Sequence, residues 1–215
     1  MTPDQILTPI LDWLDLAGVA VFALTGALVA ARLNQTFVTM AFFALVTGVG
    51  GGTVRDLLIG APVFWMQDPW VASVCFGVAL IAWFTPQRWW EGDGIEYADA
   101  AGLAAYAVLG SAKAFAFGVA LVPAAVMGVV TGCVGGIIRD LVAGRPSIIM
   151  RPELYVTAAA FGATLCVIGL SLRIEQTVVW SVAALAGFTL RAAAIRFGWA
   201  LPSHAGGEDQ SAAEE

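Results

Sequence analysis

Two arginine–aspartate pairs and the glycines before them stand out because their spacing occurs twice. Thr47-Gly48-Val49-Gly50-Gly51-Gly52-Thr53-Val54-Arg55-Asp56-Leu57-Leu58-Ile59-Gly60-Ala61-Pro62 returns 84 residues later as Thr131-Gly132-Cys133-Val134-Gly135-Gly136-Ile137-Ile138-Arg139-Asp140-Leu141-Val142-Ala143-Gly144-Arg145-Pro146, with nine of the sixteen positions identical. Each copy closes a long apolar run with a glycine cluster and two opposite charges. Ions are costly in lipid and glycines break helices, so the doubled pattern points to a route for polar solutes through a membrane.

Two readings of the glycines stand. Gly48 and Gly52, like Gly132 and Gly136, have the small-xxx-small spacing that lets helices touch backbone to backbone. Alternatively, Gly50, Gly51 and Gly52 mark an unwound or kinked segment whose freed carbonyls face water, the setting in which irregular backbone is tolerated at membrane depth. Three consecutive glycines exceed what a packing face needs, so a kink with a polar lining is expected there. With only two adjacent glycines, Gly135 and Gly136, the second copy leaves both readings open. Thr47 and Thr131, at matched places, either donate and accept within a pore or bond back to their own helix.

Neighbours on a helix point in different directions, so each arginine is expected to pair with something other than its adjacent aspartate. One arrangement joins Arg55 to Asp140 and Arg139 to Asp56, provided helix breaks bring the motifs together at mid-depth. Such ions either lock two halves in register or line and gate a pathway. Lys113, late in an apolar stretch, has Val29 as its counterpart, an asymmetry that hints at a specific use unless the lysine snorkels to the interface. Asp15 and Asp99, at matched helix starts, read as caps stabilised by the helix dipole. An intramembrane aspartyl enzyme built on Asp56 and Asp140 is disfavoured, because an adjacent arginine keeps each carboxylate ionised.

These residues sit in a chain that is 60% hydrophobic and 12% charged over 215 residues, too little polar surface for a water-soluble domain. The net charge of -6 is concentrated late, with Glu208, Asp209, Glu214 and Glu215 in the tail, and no basic patch invites nucleic acid. Cys75, Cys133 and Cys166 lie in apolar runs without metal or disulfide spacing, and the single histidine, His204, is in the tail. No catalytic residue, metal site or organic cofactor is expected. No Lys or Arg precedes Arg32, so the first apolar segment reads as a retained membrane helix rather than a leader.

Apolar runs long enough to cross the bilayer are expected at 12–31, 37–57, 69–86, 98–118, 123–142, 153–171 and 176–196. Pro69, Pro123 and Pro152 fall at proposed helix starts, and Trp13, Trp65, Trp70, Trp89, Trp90, Trp180 and Trp199 fall near proposed ends. The offset also matches Gly18 to Gly102, Gly26 to Gly110 and Met66 to Met150. The predicted fold is therefore all-α and polytopic: one transmembrane domain over 1–200 with repeat A at 12–86, repeat B at 98–171 and a seventh helix at 176–196. A disordered, dispensable acidic tail is expected over 201–215. Three helices is an odd number, so the second repeat must enter from the opposite face, which makes the repeats inverted. Arg32, Arg88, Arg145, Arg151 and Arg196 share one side, which places the N-terminus outside and the C-terminus in the cytoplasm.

With GGGTVRDLLIGAPVFW in the second helix and VGGIIRDLVAGRP in the fifth, the chain resembles the prokaryotic trimeric intracellular cation channels over residues 10–197. The resemblance implies a homotrimer in a bacterial inner membrane. Each protomer would hold its own pore, formed largely by kinked second and fifth helices and conducting potassium and other monovalent cations, sodium among them. It also implies membrane lipids as partners, pore-shaping roles for Gly50, Gly51, Gly52, Gly135 and Gly136, and places Arg55, Asp56, Arg139 and Asp140 at or near the pathway. Related bacterial sequences carry a glycine-transporter label, so the rival reading is a secondary transporter for a small zwitterion such as glycine.

Overall fold

The computed structural model describes residues 3–90, 94–150 and 152–202, with side chains from residue 16 onward apart from Gln87. Arg151, His204 and residues 203–215 lie outside the described residues, as do the side chains of Trp13 and Asp15; since α1 starts at Pro3, Asp15 stands inside the helix rather than at its start. The chain is all-helical: α1 (Pro3–Arg32), α2 (Phe37–Leu58), a single turn α3 (Phe64–Gln67), α4 (Pro69–Phe84), α5 (Gly94–Ala116), α6 (Leu121–Val142), α7 (Tyr155–Ser171) and α8 (Gln176–Phe197). Two 3-10 turns, Gln87–Trp90 and Ile148–Met150, sit in the connections. By length and composition α2, α6 and α8 suffice to cross a membrane, and α4 and α7 are shorter apolar helices.

Local signals explain most boundaries. Thr36 caps α2 by accepting the Thr39 amide, and Asp68 caps α4 by accepting the Trp70 amide just ahead of Pro69. Glu175 caps α8, and the hydrogen bonds it accepts from the backbone amides of Thr177 and Val178 hold its carboxyl below the usual range. Pro123 lies inside the first turn of α6, where its missing N–H has no intrahelical partner to lose. Pro152 corrects the expectation for the sixth span. The helix starts at Tyr155, and the Pro152 carbonyl instead accepts the Leu201 amide at 2.6 Å, next to an isolated antiparallel bridge between Glu153 and Ala200. The turn α3 and both 3-10 segments were not expected from the sequence.

At the centre α2 and α6 cross through their glycines. A Cβ at Gly51 would overlap the Thr131 carbonyl oxygen, and one at Gly135 would lie 2.5 Å from the Thr47 carbonyl oxygen. The partners run in opposite senses, 47 with 135 and 51 with 131, so the helices are antiparallel. The contacts also exchange under the 84-residue offset. The anticipated unwinding is not seen: α2 stays helical through Gly50–Gly52 and α6 through Gly135 and Gly136. The missing side chains are used for close approach of two backbones, which leaves the helical hydrogen bonds intact. Around this seam α1 packs on α2 and α5 on α6, with α4 against the first pair and α7 and α8 against the second.

Candidate functional site

Both Arg–Asp motifs lie at helix C-termini, and because α2 and α6 are antiparallel the motifs sit at opposite ends of the seam. With about 1.5 Å of rise per residue, each lies about 10 Å beyond the glycine crossing, so roughly 20 Å separates them. The cross-pairing of Arg55 with Asp140 and of Arg139 with Asp56 therefore does not occur. Each arginine instead curls back on its own neighbour, contrary to expectation: Arg55 Nε donates to Asp56 Oδ1 at 2.8 Å and Arg139 Nε to Asp140 Oδ1 at 2.9 Å. The arginine stem is long enough to offset the angular separation of adjacent residues, and bonding through Nε leaves the terminal nitrogens for other partners.

The two aspartates also do matched mechanical work. Asp56 Oδ2 accepts the Phe64 amide and Asp140 Oδ2 the Ile148 amide, both at 3.0 Å, and these positions are again 84 apart. Their backbone carbonyls accept the Ala61 and Arg145 amides, closing turns in which Gly60 and Gly144 take φ of 70° and 65°. A carboxylate that orders the loop after its helix while neutralising an arginine is well placed structurally, whatever passes beside it.

Beyond this shared frame the ends differ. At the first, Lys113 Nζ donates to Asp56 Oδ1 at 2.8 Å, so the lysine is an ion-pair partner rather than a snorkelling bystander. Its side chain remains 30% exposed while Asp56 is fully buried. At the second, an Arg139 terminal nitrogen reaches Thr25 Oγ1 at 3.1 Å and Asp99 Oδ1 at 3.4 Å. Asp99 is thus no helix cap; it lies inside α5 and shares Arg139 with Asp140. These groups floor a cavity of about 140 Å3, with Arg191 and Glu153 paired beside them and Arg32, Glu96 and Arg145 toward its opening. The Arg191 guanidinium lies over the Tyr155 ring, 5.3 Å from its centroid.

Sequence reasoning placed Arg55, Asp56, Arg139, Asp140 and Lys113 in ionic clusters but missed Thr25, Glu153, Tyr155 and Arg191. Arg191 carried a usable signal, being an arginine inside an apolar helix long enough to span. Thr25 and Tyr155 carried none, since their partners are remote in the chain. The matched threonines behave differently: Thr131 Oγ1 bonds back to the Met127 carbonyl at 2.6 Å, whereas the buried Thr47 hydroxyl has no hydrogen-bond partner among the described residues.

Comparison with known proteins fits this geometry. The family model described as glycine transporter matches the chain twice, over residues 12–87 and again over 96–171, reproducing the internal offset. A membrane protein of Vibrio cholerae designated UPF0126 is 35% identical over 92% of this chain and 84% of its own length. The inner membrane protein YadS of Escherichia coli is 36% identical over 90% of this chain and 95% of its own. Among solved structures, the trimeric intracellular cation (TRIC) channel orthologue from Rhodobacter sphaeroides superposes with a TM-score of 0.81 at 37% identity, covering 88% of this chain and 99% of that one. A second, from work on conductance through TRIC cation channels, has a TM-score of 0.82 at 27% identity over 90% of this chain and 96% of that one. The chain belongs to this family, the TRIC channels and their UPF0126 relatives covered by the glycine transporter model. It is a membrane protein whose solved structural relatives are channels rather than enzymes.

Proposed function

We propose that the protein is a monovalent cation channel, permeable to potassium, in a bacterial inner membrane. Seven helices, α1, α2 and α4 to α8, span the bilayer as two inverted three-helix repeats followed by α8, with the N-terminus outside. The chain assembles as a homotrimer in contact with membrane lipids, and each protomer conducts through its own path along the α2–α6 seam. Thr47, Gly50, Gly51, Gly52, Thr131, Gly135 and Gly136 shape that path, and Arg55, Asp56, Lys113, Arg139 and Asp140 stand at its ends. The observation that carries this reading is the near full-length match to the Rhodobacter sphaeroides channel orthologue.

The electrostatics support it. A path flanked by arginines would repel cations, but Arg139 faces two carboxylates, Asp99 and Asp140, and Arg191 faces Glu153. The four arginines lining the charged cavity are therefore matched by four carboxylates, with one carboxylate in excess at the Asp99–Arg139–Asp140 floor. Ions that stay partly hydrated need no ring of carbonyls, so discrimination between potassium and sodium is weak. The test is planar-bilayer recording of the purified protein in asymmetric KCl: discrete cation-selective openings are expected, and sharp exclusion of sodium would count against a wide hydrated route.

A carrier for a small zwitterion is the second reading, favoured by the charged cavity at the second end of the seam, where a site for opposite charges would lie. Saturable glycine counterflow in liposomes without single-molecule currents would select it.

A further inference from the structure

The turn α3 has the 3-10 turn Ile148–Met150 as its counterpart 84 residues on, but its side chains differ, and it lies over the first-half ion cluster. The Phe64 amide is held by Asp56, and the Phe64 ring sits on Gly52, where a Cβ would come within 2.6 Å of it. The same ring lies across the Arg55 guanidinium, 5.8 Å from its carbon. Next to it Trp65 Nε1 donates to Thr53 Oγ1 at 3.0 Å. The corresponding residues 84 positions on are Ile148 for Phe64, Ile149 for Trp65 and Ile137 for Thr53, so the second half has neither the ring nor the indole tether. There a Cβ at Gly136 would meet only ordinary contacts at 3.5 Å and beyond, and Ile148 lines the open charged cavity.

We infer that Phe64 is the residue that shuts the first-half end of the path, and that Trp65 holds it shut through Thr53. The inference rests on the channel reading above. The two ends share the Arg–Asp frame and the glycine turn, so the aromatic pair accounts for one end being filled where the other is hollow. Asp56 and Arg55 are consequently sealed, at 0% and 3% exposure. Opening requires the segment between α2 and α4 to swing away from Gly52. Gly60, with φ of 70°, supplies a backbone position that can serve as its hinge.

Two variants and two readouts test this. Phe64→Ala removes the plug; Trp65→Phe keeps its bulk and removes only the tether, and so also guards against misfolding of the first. Trp65→Phe is expected to speed hydrogen–deuterium exchange of residues 59–68 roughly fivefold, leaving 143–150 unchanged. In bilayers Trp65→Phe should raise open probability by a similar factor at unaltered unitary conductance, and Phe64→Ala should raise unitary conductance as well. Wild-type openings that both variants leave unchanged would overturn the gate alone. A wild type silent under all conditions would overturn the channel reading and the gate with it.

Discussion

The two ends of the α2–α6 seam are built from one sequence motif and diverge in what surrounds it. At both, an arginine turns back through Nε to the next residue and that aspartate pins the amide eight residues on. At the first end the aspartate is shared by two cations, Arg55 and Lys113, under an aromatic cover. At the second the arginine is shared by two carboxylates, Asp99 and Asp140, beside the cavity of about 140 Å3. Among the described residues the first cluster thus has one cation in excess and lies under Phe64, and the second has one carboxylate in excess and lines the cavity. Duplication preserved the device that ends each helix, and the remaining positions were free to specialise.

Substituting the aspartates should separate the ends most. Asp56→Asn leaves two buried or half-buried cations without a carboxylate among the described residues, a loss of about 3–5 kcal/mol. Asp140→Asn leaves Arg139 with Asp99, a loss of about 1.5–3 kcal/mol. Thermal unfolding in detergent should show the first variant clearly below the second; equal losses would mean the clusters are energetically alike. Gly51→Leu and Gly135→Leu should instead cost nearly the same, about 1–3 kcal/mol each, because both side chains meet a carbonyl across the same crossing. A large difference in their melting temperatures would show that the crossing is not two-fold.

In bilayers, Asp99→Asn should lower cation conductance about twofold at about 0.01 M salt and much less at about 1 M, where the screening length is about 3 Å. No salt dependence would remove the cavity around Asp99 from the path. The smallest effect is expected at the threonines. Thr131→Val forfeits a hydrogen bond, about 1 kcal/mol, whereas Thr47→Val replaces a partnerless buried hydroxyl and should be neutral or slightly stabilising. Calorimetry or fluorescence-detected melting that ranks them the other way would show that the Thr47 hydroxyl has a partner in solution, such as water in the path.

Much of the architecture was legible in the chain. Six of the expected spans match helices within a few residues at each end, because apolar runs bounded by Thr36, Pro69 or Glu175 carry their own start signals. The first, α1, extends well before its expected start, to Pro3, where Ile6, Leu7, Ile10 and Leu11 continue the apolar spacing of a helix. The first glycine cluster was read toward a break and the second left open, whereas both serve a helix crossing, since spacing cannot tell a missing side chain used for flexibility from one used for contact. The Arg–Asp pairing was misjudged for a related reason: angular position on a helix is known from sequence, but the path of a long side chain is not.

Composition, the 84-residue offset and the placement of charges at the ends of apolar runs suffice for a doubled, helical membrane protein with ionic clusters beside its glycines. These are one-dimensional properties, carried by residue type and period. Tertiary structure decided which carboxylate serves which arginine, that Thr25, Arg191 and Glu153 join the second cluster, and that Phe64 fills one end while the other stays hollow. Those outcomes depend on groups as much as 114 positions apart meeting within about 3 Å. Only the packing of helices against one another sets such distances.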